Sequence, residues 1–208
     1  MKVENSVLRK QAREALVGKW GVVIGTFVLY LLVSTVAQGF SGSGDRAYVG
    51  GIASFIIAGP LSLGLAMFTL SISRNKELKV AQIFDGFKNF SEAFLAHLLR
   101  TVFTVLWALL LIVPGIVAAI SYSMIFFIIA DDPNIGAGEA IKKSKKMMYG
   151  HKWKYFKLLL SFLGWALLCI LTLGIGFLWL APYVQVSTAK FYEDVKNLES
   201  VSASSAIA

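Results

Sequence analysis

The chain has 208 residues, of which 57% are hydrophobic and 15% are charged. Soluble domains average about 45–50% apolar and about 25% charged residues, so this composition excludes an ordinary soluble domain and favours an all-α membrane domain. The formal net charge is +8, but the basic residues flank apolar runs, which is typical of membrane-protein topology and not of nucleic-acid binding.

The first predicted unit, residues 5–74, contains a charged amphipathic segment and two apolar runs. The amphipathic segment covers residues 5–19, and the apolar runs cover residues 20–37 and 48–73. Both runs are close to or above the roughly 20 residues that a helix needs to cross a bilayer. The glycine- and serine-rich stretch between them, 38–46, is typical of an irregular loop. At about 100° per residue, the residues that share the apolar face of the first segment are Leu8, Ala12, Ala15 and Leu16.

The second unit, residues 75–132, opens with another amphipathic segment over residues 80–97. Its aromatic face and polar back predict a helix that lies in the membrane interface. The alternative is a helix that continues directly into the next apolar run. The residues on its apolar face are Val80, Ile83, Phe84, Phe87, Phe90, Phe94 and Leu95.

The apolar run that follows, residues 98–130, is too long for a single span. As one helix it would measure about 50 Å, whereas the hydrocarbon core of a bilayer is about 30 Å thick. Pro114 and Gly115 lie at its middle, and both residue types favour a turn. We therefore predict two spans, 98–113 and 116–130, joined by a tight turn.

The third unit, residues 133–195, repeats this arrangement. An amphipathic segment at 135–149 precedes an apolar stretch at 155–189, which is again too long for one span and is interrupted at 173–176. We expect the small polar tail, 196–208, to be disordered. The third amphipathic segment places Ala137, Ala140, Ile141, Ser144, Met147 and Met148 on one face and Lys142, Lys143, Lys145 and Lys146 on the other.

Three such units predict a single integral membrane domain, residues 1–195, with six transmembrane spans. The spans form three repeated hairpins, each preceded by a cytoplasmic amphipathic helix, and the N- and C-termini both face the cytoplasm. Of the 20 Lys and Arg residues, only Arg46 then lies outside, as the positive-inside rule requires. A rival model with four spans would export the lysine-rich segment 142–157 and is disfavoured by the same rule.

Few residues of the sequence are candidates for a catalytic or ligand-binding role. The chain has no nucleotide-binding, nucleophile or metal-ligand motif, so we expect neither a cofactor nor enzymatic activity. The one plausible catalytic set at the cytoplasmic interface comprises Asp85, Arg74, Glu139 and Asp131. Arg100 is expected near the inner end of its span, where it can snorkel to the surface. The candidates for lining a polar path are Ser121, Tyr122 and Ser123, although such residues more often bond between helices.

The lysine-rich third amphipathic segment is the best indication of a binding function. Lysines near a membrane surface each contribute about 1 kcal/mol to the attraction of anionic lipids. The alternative is that these charges only set the topology. The candidate anionic-lipid contacts are Lys142, Lys143, Lys145, Lys146 and Lys152.

The chain resembles the DUF975 family of bacterial integral membrane proteins. The resemblance covers most of the chain and implies a bacterial plasma-membrane location, no established activity and no catalytic residue. The motifs that carry it are Ala12-Arg13-Glu14, Gly18-Lys19-Trp20, Gly59-Pro60-Leu61, Leu63-Gly64-Leu65, Phe84-Asp85-Gly86-Phe87, Leu106-Trp107, Pro114-Gly115-Ile116, Glu139-Ala140-Ile141 with Ser144, Gly174-Ile175-Gly176-Phe177 and Pro182-Tyr183.

These observations predict a non-enzymatic protein that interacts with membrane lipids or with a membrane-protein partner, including a second copy of itself. The alternative is a transporter or channel subunit for a small amphiphile or peptide, because internal repeats and broken helices are common in transporters. A water-accessible cavity at mid-membrane would favour the alternative.

Overall fold

The computed structural model describes residues 3–39 and 45–207, with side chains described for 3–36 and 50–200, and these residues form helices and no strand. The all-α class is therefore confirmed for the described residues. The helices are α1 (Asn5–Leu16), α2 (Trp20–Gly39), α3 (Asp45–Ser73), a 3₁₀ helix (Val80–Asn89), α4 (Phe90–Leu110), α5 (Ile112–Ser121), α6 (Ile125–Asp131), α7 (Ala137–Met147), α8 (Lys152–Leu160), α9 (Leu163–Leu171) and α10 (Phe177–Ile207).

Four helical segments of the described chain are long and apolar enough to cross a membrane, and a fifth results if α1 and α2, which are bent by 98°, form one broken span. The six predicted spans are not confirmed, because α10 does not belong to this set. Its first charge, Lys190, comes thirteen residues after Phe177, so its apolar part is only about 20 Å long. The four segments are Gly50–Ser73, Val80–Leu110, Ile112–Asp131 and Lys152–Leu171.

The predicted turn at Pro114-Gly115 lies a few residues earlier, at Leu111. Leu111 has an extended backbone (φ −162°, ψ 144°) and separates α4 from α5, which pack against each other. Pro114 instead falls in the first turn of α5, where its missing N–H group leaves no hydrogen bond unmade. A β carbon at Gly115 would come within 2.8 Å of Ala108, so glycine permits the close approach of the two helices.

The predicted break at residues 173–176 is confirmed as the turn between α9 and α10. Leu173 and Gly174 both have positive φ angles, of 53° and 86°, and the Gly176 amide donates to the Thr172 hydroxyl at 3.2 Å. The structure describes α10 as helical as far as Ile207, and the disorder expected of the tail, 196–208, stays a prediction. No glycine or proline follows Pro182 to end that helix.

The segment predicted as one amphipathic α-helix, 80–97, is divided between the 3₁₀ helix and the start of α4. The 3₁₀ helix lies directly against α3, where a β carbon at Gly64 would overlap the Ile83 carbonyl group and one at Gly86 would overlap the Pro60 carbonyl. Of the predicted apolar face, only Ile83 is fully buried. The side chains of Phe84, Phe87 and Phe90 remain exposed at 43%, 36% and 41%.

The two ends of the helix bundle differ in character. Leu111 and Asp131 lie at opposite ends of the segment formed by α5 and α6. The Leu111 end, together with the α9–α10 turn, consists of exposed apolar side chains, and Leu173 is 94% exposed. The Asp131 end contains charged residues, and the buried core continues along α10 as far as Val195. We call this second end the charged end.

The predicted loop at 38–46 lies mainly outside the described residues. Residues 38 and 39 belong to α2 and residues 45 and 46 to α3, and residues 40–44 are not described.

Candidate functional site

A network of ion pairs joins three distant parts of the chain at the charged end. The Arg74 guanidinium lies 2.6 Å from a carboxylate oxygen of Asp131 and 2.6 Å from one of Glu193. The Tyr192 hydroxyl donates to Asp131 at 2.9 Å, and the Lys196 ammonium pairs with the same carboxylate. Arg74, Asp131 and Glu193 stand near the ends of the three predicted units, so the network ties together the ends of all three.

The electrostatics of this network stabilise its charged form. Burial by itself lowers the pKa of Arg74, but hydrogen bonds and charges from Asp131 and Glu193 outweigh it and raise that pKa on balance. Burial and the adjacent Asp131 carboxylate raise the pKa of Tyr192, which keeps its hydroxyl protonated and able to donate. Each charged group of the cluster therefore has a partner of opposite charge or a hydrogen bond. This is the arrangement expected of a cluster that holds helices together.

Only two of the four residues proposed as a catalytic set come together. Arg74 and Asp131 form the ion pair described above, whereas Asp85 pairs with Lys88 at 2.8 Å on the 3₁₀ helix. Glu139 is exposed in the first turn of α7. Among the described residues, no group of three or more His, Cys, Asp or Glu side chains is arranged to hold a metal ion.

A second ion pair at the charged end holds the N-terminal segment. The Lys154 ammonium lies 2.6 Å from Asp194, and their side chains are only 17% and 6% exposed. The backbone amide of Val3 donates to the same carboxylate at 3.4 Å, and the Asn5 amide donates to the Lys154 carbonyl at 2.9 Å. α1, α8 and α10 therefore meet at one point.

Two polar contacts attach α7 to the charged end. Glu92 accepts a hydrogen bond of 2.6 Å from the Ala137 amide, and a carboxylate at a helix N-terminus is stabilising because it meets unpaired N–H groups and the positive end of the helix dipole. The Ser144 hydroxyl donates to the Ser121 carbonyl at 2.8 Å, which satisfies an acceptor at the end of α5. The residues of α7 and its C-cap that are buried by this contact are Ala137, Ala140, Ile141, Ser144, Met147 and Met148.

The outward face of α7 carries the predicted lysines. Lys142, Lys143, Lys145 and Lys146 are exposed, and none of them is ion-paired with a carboxylate among the described residues. They line one side of an open groove of about 1280 Å³, and its other lining residues include Asp131, Asp132, Tyr192, Lys196 and Glu199. Lys152, the fifth predicted contact, lies at the start of α8 and does not line this groove.

The interior of the bundle contains a polar cavity that the sequence did not predict. This chamber has a volume of about 210 Å³, and its lining includes Arg100 and Gln185. Arg100 was expected near the inner end of a span starting at residue 98. In the structure α4 begins at Phe90 and ends at Leu110, so Arg100 stands at the middle of the helix, about 15 Å from the Leu110 end.

The break between α5 and α6 supplies part of the chamber wall. The Ser123 hydroxyl donates to the Ile120 carbonyl at 2.8 Å, and its oxygen adjoins the buried hydroxyl of Tyr155. Of the three residues proposed for a polar path, only Ser123 lines the chamber. Ser121 and Tyr122 are buried at 4% and 7% exposure away from it.

An apolar groove adjoins the chamber. It has a volume of about 450 Å³ and lies among α2, α8, α9 and α10. Groove and chamber share five lining residues, so an apolar and a polar cavity lie side by side. The shared residues are Tyr30, Leu65, Leu159, Val184 and Gln185.

The fold defines an all-helical protein with four or five apolar helices, which is compatible with a membrane protein. The family model DUF975, described as a protein of unknown function, matches residues 1–124 and 109–199. The chain therefore belongs to this family, and the resemblance seen in its motifs is confirmed. No curated protein and no solved structure matches the chain.

Proposed function

We propose that this chain is a multi-pass bacterial plasma-membrane protein without catalytic activity that binds anionic lipid head groups at α7. The observation that carries the proposal is the set of exposed lysines on a helix attached to the charged end. They have no ion-pair partner among the described residues, so their charge is available to a ligand. The set consists of Lys142, Lys143, Lys145 and Lys146.

The exposed aromatic residues support a membrane interface at the same end. The 3₁₀ helix leads into α4, whose first turn contains Glu92, the residue that binds the α7 N-terminus. The nearby side chains of Phe84, Phe87 and Phe90 are exposed, and aromatic side chains concentrate at the boundary between lipid and water. The lysines of α7 therefore lie at the level of the head groups in this proposal.

The proposed topology retains six apolar segments arranged as three hairpins, each entering from the cytoplasmic side after an amphipathic segment. Both termini face the cytoplasm. The distribution of basic residues supports this orientation through the positive-inside rule, and the concentration of ion pairs at one end of the bundle is consistent with it.

The lysine surface is tested by replacing Lys142, Lys143, Lys145 and Lys146 together with Gln. We expect at least a tenfold loss of affinity for phosphatidylglycerol, because each lysine contributes about 1 kcal/mol near an anionic surface. Lipid retention by the purified full chain is measured by native mass spectrometry across a phosphatidylglycerol titration, with phosphatidylcholine as the uncharged comparison.

A matched control removes the same number of positive charges elsewhere. Lys10, Arg13, Lys76 and Lys157 are all exposed, and their joint replacement with Gln keeps the net charge equal to that of the α7 variant. Equal losses in the two variants would mean that binding follows net charge alone. In that case α7 would be no more than a topological signal, and the proposal would be wrong.

Transport of a small amphiphile is the second candidate function. The interior chamber lined by Ser123 supports it, because a polar cavity at mid-membrane is what a translocation path needs. The direct test is uptake of a labelled amphiphile into proteoliposomes that contain the protein. Uptake no faster than in protein-free liposomes would contradict a transport function.

A further inference from the structure

We propose that the interior chamber and the adjoining apolar groove together bind a single-chain lipid with an anionic head group. The head group pairs with Arg100, and the hydrocarbon chain occupies the groove. This site is separate from the lysine surface of α7 and does not depend on it.

The first argument is the unbalanced charge of Arg100. No described carboxylate forms an ion pair with it. Its guanidinium carbon lies over the ring of Phe126, 5.8 Å from the ring centre. Arginines inside membrane bundles normally face a partner or a water-filled cavity and mark functional sites. Arg100 borders the chamber, so an anion placed there would supply the missing partner.

The second argument is the supply of hydrogen-bond donors. Ser123 and Thr188 donate their hydroxyl protons to the backbone carbonyls of Ile120 and Val184, at 2.8 and 2.9 Å, so they offer only acceptor oxygens. The Tyr155 hydroxyl is already hydrogen-bonded to Ser123 and Thr188. The donors left in the chamber are the Arg100 guanidinium, the Gln185 amide and the hydroxyls of Tyr30 and Ser62. A carboxylate or phosphate accepts several hydrogen bonds and matches this set, with the guanidinium as its strongest donor.

The third argument is that a polar and an apolar cavity lie side by side and share five lining residues. The groove wall is formed by apolar side chains such as Phe27, Leu163, Ala166 and Phe177. These side chains cannot hydrogen-bond to a head group, but they suit a hydrocarbon chain. The two volumes, about 450 and 210 Å³, together fall within the range of ordinary ligand pockets, about 300–1,000 Å³. The chamber contains the positive charge of Arg100, and the groove beside it is apolar. Together they match an amphiphile with one anionic head group and one hydrocarbon chain.

The binding test uses radiolabelled palmitate and the purified full chain in a nonionic detergent. Hexadecanol has the same chain without the charge, lysophosphatidylglycerol replaces the carboxylate with a phosphate, and inorganic phosphate has the charge without the chain. We expect palmitate, lysophosphatidylglycerol or both to bind saturably, and hexadecanol and inorganic phosphate to compete at least tenfold more weakly. The stronger of the two lipids identifies the head group.

Two pairs of variants test the two ends of the site. Arg100→Gln should weaken binding at least tenfold, since it removes a charge-assisted hydrogen bond, and Arg100→Lys should recover most of the affinity. Ala166→Phe should weaken binding by filling the groove, whereas Leu167→Phe, on an adjacent residue that is 58% exposed, should not. Thermal unfolding establishes that each variant is folded. Gln185→Leu, which removes another donor of the chamber, serves as a second head-group variant if Arg100→Gln does not fold.

Several outcomes would overturn this proposal. They are wild-type affinity in both Arg100→Gln and Ala166→Phe, binding of hexadecanol as strong as that of palmitate, and binding of inorganic phosphate with no contribution from a chain. The fourfold α7 lysine variant should retain palmitate binding. Failure of the lysine surface and failure of this interior site are therefore distinguishable.

Discussion

At the scale of single residues, three glycines bring the backbone of α3 into direct contact with the segment that follows it. β carbons at Gly59, Gly64 and Gly86 would each meet backbone atoms of the opposite segment. A backbone carbonyl cannot move aside as a flexible side chain can, so these positions require glycine. Helix pairs in membranes depend on such close approach, because small residues let backbones pack at short distance.

Replacing Gly64 with Ala should destabilise the protein by about 1–3 kcal/mol, the usual range for overpacking. The new methyl group would overlap the Ile83 carbonyl and push the 3₁₀ helix away from α3. The measurement is the thermal unfolding midpoint of the detergent-solubilised protein, followed by circular dichroism.

The matched control for this prediction is Gly164→Ala in α9. No atom lies within 4 Å of the position of its β carbon, and alanine is the better helix former, so its midpoint should be unchanged or higher. A Gly64→Ala midpoint equal to the wild-type value would show that α3 and the 3₁₀ helix separate at little cost.

At the scale of helices, the uncharged part of the hairpin formed by α8, α9 and α10 is shorter than the membrane is thick, although the whole segment Lys152–Leu171, with its lysines, is long enough to cross. From Lys157 to Leu171 and from Phe177 to Lys190 its apolar arms span fourteen and thirteen residues, or about 20 Å each. The hydrocarbon core is about 30 Å thick. The α9–α10 turn is also apolar, with Leu173 the most exposed of its side chains.

We predict that the α9–α10 turn stops inside the bilayer. In a Cys169→Ser background, a cysteine at position 173 should not react with a membrane-impermeant maleimide added outside intact cells, because maleimides react with the thiolate and a thiol in hydrocarbon stays protonated. Ser41→Cys, in the loop predicted to face outside, is the positive control. Labelling of both positions would mean that the third hairpin crosses completely.

At the scale of the whole molecule, charge is concentrated at one end. The Arg74 network, the Lys154–Asp194 pair and the lysines of α7 all lie there. Among the residues whose side chains the structure describes, the other end is formed by the apolar turns between α4 and α5 and between α9 and α10. We expect this asymmetry to give the bundle a defined orientation in a bilayer, and the proposed topology places the lysines on the cytoplasmic side.

An orientation test follows from this asymmetry. Alkaline phosphatase inserted after Met148 should be inactive, because that enzyme matures only outside the cytoplasm, and a green fluorescent protein at the same position should be fluorescent. An insertion at residue 43 should give the reverse result. Phosphatase activity at Met148 would contradict the cytoplasmic assignment of α7 and favour the four-span alternative.

The faces of the short helices could be predicted from sequence because helical periodicity is a local property. The predicted apolar faces of the first and third amphipathic segments correspond to the buried residues of α1 and α7. The position of the 3₁₀ helix could not be predicted in this way. It depends on the glycine contacts with α3. The residues in these contacts are far apart in sequence, and helical periodicity describes only residues within one helix.

The site was only partly predictable for the same reason. The α7 lysines follow from composition and spacing, but the interior chamber does not. Arg100 was expected near the inner end of its span, whereas the extension of α4 back to Phe90 places it at mid-helix. Its neighbours in the chamber come from α2, α3, α6, α8 and α10 as well as from the α5–α6 break, and no spacing along the chain connects them.

By itself, the sequence determined the helical class, the apolar segments, the break at residues 173–176 and the family. These depend on chain length, hydropathy and local turn chemistry. Only the tertiary structure decided that Arg74, Asp131 and Glu193 meet and that Arg100 borders a polar chamber. Such contacts join residues far apart in sequence, and they depend on how the helices pack against one another.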